Sequence, residues 1–215
     1  MTDDSLTPNE TTEIERAIVG SRDATSRLLA ALELIDDLDV TRSSLLPDWT
    51  VGHVLTHLAR NADSFVWILR SATEGKQVPQ YPGGVAGRSR DIAEGASRPT
   101  AAIVDDLKAS AARLDAAWDE VPTAVWLGQG LRINGSPLPC RVLPVSRWRE
   151  VEVHHVDLGL GYGISDWPAQ FVSSDLPHVL DRLPEMIEDA AERRALLAWI
   201  YGRTGQPPQI ELRPF

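Results

Sequence analysis

The sequence predicts a mainly helical protein: a four-helix bundle followed by a small C-terminal appendage. Apolar residues recur at three- and four-residue intervals in four long segments. Segments rich in proline and glycine separate them, and beyond Leu160 the apolar stretches become short. We therefore divide the chain into a helical bundle, residues 1–160, and an appendage, residues 161–215.

Two helices are predicted in the first third of the chain. The first runs from about Thr12 to Asp37, and Gly20 weakens its middle. It follows an acidic, polar tail over residues 1–10, which we expect to be frayed. The second helix runs from about Thr50 to Ala72. The segment from Glu74 to Gly87 contains two prolines and several glycines and is predicted to be a loop.

Two further helices and a hairpin complete the predicted bundle. Apolar residues at helical spacing indicate a third helix between Pro99 and Pro122. The fourth covers about Pro139 to Leu158, where Pro144 marks a kink or a later start. Between these helices, the dipeptide Asn134-Gly135 is typical of a hairpin turn.

The appendage differs in character from the bundle. Between Ile164 and Asp189 two or three short apolar pieces are broken by prolines. A helix is predicted from Glu192 to Tyr201, and a short strand from Gln209 to Leu212. The appendage is therefore expected to combine helix and strand.

Composition excludes several classes of function. The 215 residues carry a formal net charge of −10, which disfavours binding to nucleic acid or to an anionic membrane surface. The single cysteine, Cys140, permits neither an intrachain disulfide nor a cysteine-based zinc site. No apolar run reaches the roughly 20 residues of a membrane span, and the N-terminus does not resemble a signal peptide. We expect a cytoplasmic protein.

Four of the five histidines form two close groups. His53 and His57 lie four residues apart on the second helix, and His154 and His155 lie on the fourth. His178 stands apart and is expected at the surface. Because a bundle brings side chains of facing helices together in its core, one histidine of each group can approach the other.

The fourth helix adds a carboxylate at metal-ligand spacing. Glu150 and His154 share a helix face, so with His53 or His57 they would form a set of two histidines and one glutamate. Three protein ligands with an open fourth position are typical of catalytic zinc. Asp157 would either orient His154 or be exposed at the helix end. Spacing alone does not exclude purely structural histidines.

Two helical motifs and one C-terminal segment form a recognisable pattern. They are Leu46-x-x-Trp49-Thr50-x-x-His53-x-x-x-His57-x-Ala59-x-Asn61-Ala62, Arg149-Glu150-Val151-x-x-His154-x-Val156-Asp157-Leu158-Gly159 and Ala198-Trp199-Ile200-Tyr201-Gly202-Arg203. This pattern resembles a known family, the mycothiol-dependent maleylpyruvate isomerases, whose fold is a DinB-like helical bundle. The resemblance covers roughly Leu28 to Leu160 and returns near the end of the chain.

The resemblance implies a mainly α, DinB-like four-helix bundle with a small C-terminal α/β appendage. It implies that His57, Glu150 and His154 bind zinc, and that His53 is a packed or hydrogen-bonded neighbour. The family also uses two arginines in its active site, and Arg88 and Arg203 match them best. The family's C-terminal domain is longer than residues 161–215, so this part of the match, and the substrate with it, rests on less sequence.

The implied function is zinc- and mycothiol-dependent isomerisation of maleylpyruvate to fumarylpyruvate in the breakdown of aromatic compounds. A thiolate adds to the cis double bond, the resulting single bond rotates, and the thiolate leaves. The expected partners are a small dicarboxylate and a low-molecular-weight thiol. A mycothiol S-transferase acting on other electrophiles would use the same ligands. A non-catalytic bundle that binds a ligand or partner protein is the third possibility.

Overall fold

The computed structural model describes residues 5–210 and confirms a mainly helical protein. The chain forms two compact units, Met1–Trp167 and Pro168–Phe215. The predicted division between residues 160 and 161 stays a prediction. The helices are α1 (Pro8–Glu33), α2 (Val51–Thr73), α3 (Gly84–Ala96), α4 (Thr100–Glu120) and α5 (Leu143–Asp157) in the first unit, and α6 (Ala169–Met186) and α7 (Ala190–Ile200) in the second.

Helix α1 begins earlier than predicted, because a capping box stabilises its first turn. The Thr7 hydroxyl accepts a hydrogen bond from the Glu10 amide, and the Glu10 carboxylate accepts one from the Thr7 amide. Pro8–Glu10 are therefore helical, and the prediction of a frayed tail is wrong for them. Met1–Asp4, the start of that predicted tail, lie outside the described residues.

The prediction of a loop up to Gly87 is wrong for its last residues, because the additional helix α3 begins at Gly84. Its N-cap, Gly83, has a φ of +85°, which favours glycine. The buried face of α3 consists largely of small residues, so its apolar periodicity is weak. Gly95 lies directly against Thr56 of α2, where a Cβ atom would not fit. Helix α3 carries Arg88.

The hairpin is confirmed, and Pro144 marks a later helix start. Strands β1 (Gln129–Leu131) and β2 (Pro137–Pro139) pair antiparallel, with Leu131 opposite Pro137. Gly135, in the connecting loop, has a φ of +81°. Helix α5 begins at Leu143, so Pro144 occupies its first turn, where its missing amide proton removes no helical hydrogen bond.

Helix α2 is the central helix of the first unit. It packs against α3, α4 and α5, while α1 packs mainly against α5. A cluster of apolar residues from α1, α2, α4 and the hairpin region forms the core at one end of α2; it includes Phe65, Leu114, Trp118 and Trp126. The next turns of α2 carry His57, whose side chain is buried. The core therefore fixes α2 firmly at the point where α5 approaches it.

In the second unit, α6 is continuous where the sequence predicted short pieces. It contains Pro177 and Pro184, and each proline removes one backbone donor without ending the helix. Helix α7 begins after the N-cap Asp189, whose carboxylate accepts from the amides of Ala191 and Glu192. His178 is exposed, as predicted.

The predicted terminal strand is not present in the described part of the second unit. Gln209 and Ile210 form no regular element, and Glu211 and Leu212 lie outside the described residues. None of the helices between residues 5 and 210 has the length and apolar character needed to cross a membrane.

Replacing Gly20 by alanine is expected to destabilise the first unit by up to about 2 kcal/mol. Alanine normally stabilises a helix interior relative to glycine by about 1 kcal/mol. Here its Cβ would lie 2.5 Å from the Trp148 ring, and such overpacking costs about 1–3 kcal/mol. Chemical denaturation measures the difference. Val19→Ala, at the neighbouring exposed position, is the control, and stabilisation by Gly20→Ala would contradict the packing argument.

Candidate metal centre

The structure brings His57, Glu150 and His154 together between α2 and α5. His57 Nε2 lies 2.9 Å from Glu150 Oε2 and 3.1 Å from His154 Nε2. His154 Nε2 lies 3.4 Å from Glu150 Oε2. Ligand atoms around a tetrahedral zinc ion lie about 3.3 Å apart, since each is about 2.0–2.2 Å from the metal. The three donor atoms therefore have nearly the spacing that a bound zinc ion requires.

His53 has a different position, at the start of α2. Its Nδ1 accepts a hydrogen bond from the Thr50 amide at 3.2 Å, while the Thr50 hydroxyl accepts from the His53 amide. The two residues thus form a capping box in which histidine replaces the usual glutamate or glutamine. Within residues 5–210, His57, Glu150 and His154 are the one group of metal-binding side chains close enough to share an ion, and it does not include His53.

Asp157 orients His154. The Asp157 carboxylate accepts from His154 Nδ1 at 2.8 Å, which directs Nε2 towards His57 and Glu150. Burial opposes protonation of His154, but hydrogen bonds to Asp157 and Glu150 outweigh it and raise the pKa of His154 to about 9. The alternative prediction, that Asp157 is merely exposed at the end of the helix, is therefore wrong.

The pKa values of His57 and Glu150 are lowered, in contrast to that of His154. Burial lowers the pKa of His57, and the attraction of Glu150 does not compensate. Burial also opposes ionisation of Glu150, but hydrogen bonds from His154 and His57 hold the pKa of Glu150 well below its usual value. At neutral pH the metal-free centre thus contains an ionised glutamate, a neutral His57 and a protonated His154.

We expect zinc affinity to rise about tenfold per pH unit between pH 6.5 and 8.5. His154, with a pKa of about 9, must lose one proton before Nε2 can bind a metal, so a falling pH weakens binding. Competition with a chelator across this range measures the slope. Asp157→Asn removes a cause of the raised pKa and should flatten it. A wild-type affinity independent of pH would contradict the assignment.

Arg88 contacts the remaining ring nitrogen of His57. Its Nη2 lies 3.2 Å from His57 Nδ1. A guanidinium group only donates hydrogen bonds, so Nδ1 accepts and the proton of neutral His57 is on Nε2. A metal bound by Nε2 needs the lone pair at that atom and moves the proton to Nδ1. The Arg88 contact and metal binding therefore require different tautomers of His57, and each disfavours the other.

Two aromatic residues that were not predicted as site residues lie beside the centre. The Tyr81 side chain is buried, and its ring centroid lies 5.7 Å from the Arg88 guanidinium carbon. Burial and the charge of Glu150 raise the pKa of Tyr81. The Trp49 ring meets that of His57 edge-on, with centroids 5.7 Å apart. Both residues precede a helix in irregular segments, where periodicity gives no signal.

Two other residues bear on catalysis, Arg203 through the family resemblance and Cys140 as the single thiol. Arg203 follows α7 in the second unit, is exposed, and its amide donates to the Ala198 carbonyl. Its catalytic role stays a prediction. Cys140 is buried in a short helical turn before α5, and burial raises the pKa of its thiol to about 11. Cys140 is therefore un-ionised at neutral pH and is a poor nucleophile.

Comparison with known proteins places these features in context. Residues 21–159 match the family described as the mycothiol maleylpyruvate isomerase N-terminal domain. A crystal structure of the mycothiol-dependent maleylpyruvate isomerase is 30% identical, with a TM-score of 0.70; the match covers 75% of this chain and 67% of that one. A mutant of that enzyme matches with the same values. No curated protein matches.

Proposed function

The chain belongs to the mycothiol maleylpyruvate isomerase N-terminal domain family, and from this membership we propose that it is a zinc- and mycothiol-dependent cis–trans isomerase. Its substrate would be maleylpyruvate and its product fumarylpyruvate. The observation that carries the proposal is the convergence of His57, Glu150 and His154 at nearly tetrahedral spacing, with Arg88 beside them.

The donor set fits a catalytic divalent metal. His57, Glu150 and His154 would supply three ligands and leave a fourth position open, and Asp157 would hold His154 in the ligating orientation. A divalent ion there lowers the pKa of a thiol that reaches its open position. The chain's own thiol, Cys140, is buried and un-ionised. The thiol must therefore come from solution, which is consistent with mycothiol.

Arg88 would recognise a carboxylate or carbonyl oxygen of the substrate. Its guanidinium can donate two parallel hydrogen bonds to a carboxylate, and it would stabilise negative charge that develops on the carbonyl side. The packing of Tyr81 against Arg88 restricts the orientation of this group. In a protein of net charge −10, a dianionic substrate needs such a local cation. We propose that Arg203 supplies the second one.

The test is turnover of maleylpyruvate by zinc-loaded protein, followed by absorbance with and without mycothiol. We expect fumarylpyruvate to form only when mycothiol is present. Formation of a stable thiol conjugate with other electrophiles, but no isomerisation, would replace the proposal with an S-transferase. No thiol-dependent reaction of either kind would leave a non-catalytic binding bundle.

A further inference from the structure

We propose that the groove between α1 and α4 binds a small carboxylic acid with an apolar body, whose carboxylate pairs with Arg147. The groove encloses about 400 Å³ and is lined by residues of α1 and α4, with Arg147 of α5 among them. None of the three proposed metal ligands lines it. It is therefore a second site, and it does not depend on the proposed isomerase activity.

Arg147 is a buried cation on which Glu150 and Asp63 act only through their charge, without ion-pair contact. Its side chain lies among the largest fully buried ones, and the residue is 2% exposed. Nη1 donates to the Leu58 carbonyl at 2.8 Å and to Asn61 Oδ1 at 2.9 Å, and both acceptors are neutral. Among residues 5–210 no carboxylate forms an ion pair with it. Buried charges are normally paired, so this arrangement indicates a missing anion.

The unused edge of Arg147 has the geometry for a carboxylate. The hydrogen bonds of the described residues engage only Nη1, which leaves the Nε and Nη2 donors for a ligand. These two nitrogens form the parallel pair of donors that binds a carboxylate through both oxygens. The Nδ2 group of Asn61 is also buried and has no partner among the described residues. This region therefore has an excess of donors over acceptors.

The other cations of the groove are already neutralised. Arg22 pairs with Asp115 and Asp119 of α4, and Lys108 pairs with Glu33. These pairs leave Arg147 as the cation that lacks a counterion in the described lining. One available positive charge favours a monoanion, and the carboxylate of Asp115, also in the lining, disfavours phosphate or a dicarboxylate.

The walls of the groove favour an apolar ligand body. Leu29 contributes from α1, and Leu114 and Trp118 contribute from α4. The Trp118 ring is stacked on Trp126, with centroids 5.8 Å apart, and this contact fixes its position. A volume of about 400 Å³ lies in the usual range of small-molecule sites. An aromatic monocarboxylic acid satisfies the charge, the volume and the apolar wall together.

Calorimetric titration of the full chain with benzoate tests the proposal, with benzamide as the uncharged analogue. We expect saturable binding of one benzoate, and binding of benzamide at least about tenfold weaker because it cannot pair with the guanidinium charge. His57→Ala should leave benzoate binding unchanged, since the metal centre is separate. No saturable binding, equal binding of benzamide, or loss of binding in His57→Ala would overturn the proposal.

A pair of variants on α4 tests the groove without replacing the buried Arg147. Ala111, on α4, lines the groove and is half-buried, so Ala111→Leu fills the groove without changing Arg147. Ala116 is exposed on the same helix and lies outside the lining, so Ala116→Leu is the matched control. Benzoate binding should weaken at least about tenfold in Ala111→Leu and remain in Ala116→Leu. Equal binding by both variants would overturn the proposal.

Discussion

Replacement of Arg88 by methionine is expected to lower kcat/KM for maleylpyruvate by about 100- to 1,000-fold and, at the same time, to raise the affinity for zinc about tenfold. The loss of turnover follows from losing a cation that stabilises charge developing on the substrate. The gain in metal affinity follows from the contact between Arg88 Nη2 and His57 Nδ1. That contact holds His57 in the tautomer that cannot bind a metal through Nε2, and the charge of Arg88 also repels a cation.

The two effects have opposite signs, so a general loss of structure cannot produce both. Steady-state kinetics and chelator competition measure them in the same preparations. Arg90→Met is the matched control, because Arg90 is exposed on the same helix and pairs with Asp91. The proposed role of Arg88 is wrong if Arg88→Met retains full turnover, or if zinc affinity falls along with turnover.

Replacement of His57 by alanine is expected to lower zinc affinity by more than about 100-fold, while alanine at His53 leaves it nearly unchanged. Loss of a group that only orients a ligand costs about 10–100-fold, so loss of a ligand should cost more. His53 instead caps α2, and its loss should lower the free energy of unfolding by about 1 kcal/mol. Metal analysis and denaturation separate the two effects.

The two histidines make this comparison a sharp one. They lie on the same helix, so a nonspecific disturbance of α2 should affect both variants alike. Retention of stoichiometric zinc in His57→Ala, or loss of zinc in His53→Ala, would show that the ligands have been assigned to the wrong turn of the helix.

The histidines also show how far the sequence could predict the site. Helical spacing placed His53 and His57 on one face and could not choose between them. The difference arises from backbone position, because the ring of His53 caps the start of α2 while His57 lies a turn deeper, facing α5. Glu150 and His154 were predictable because their four-residue spacing is a property of any helix. Resemblance to the family supplied the choice of His57.

Helix α3 shows what spacing could not predict. Its glycines resemble loop residues in the sequence, yet Gly95 lets the helix approach Thr56, and Gly83 begins it with a positive φ. The helix holds Arg88 beside His57, so the family resemblance indicated this residue while the spacing missed the helix that positions it. Tyr81 and Arg147 make tertiary contacts to other helices. Hydrophobic periodicity along the sequence does not predict such contacts.

The central claim is that His57, Glu150 and His154 hold a metal that activates a thiol from solution. Calorimetric titration with mycothiol near pH 7, in two buffers of different ionisation enthalpy, counts the protons released on binding. A free thiol has a pKa of about 8.5 and is mostly protonated at this pH. We expect about one proton to be released per mycothiol bound by zinc-loaded protein, and none with the chelator-treated protein. Equal proton release with and without zinc would contradict the claim.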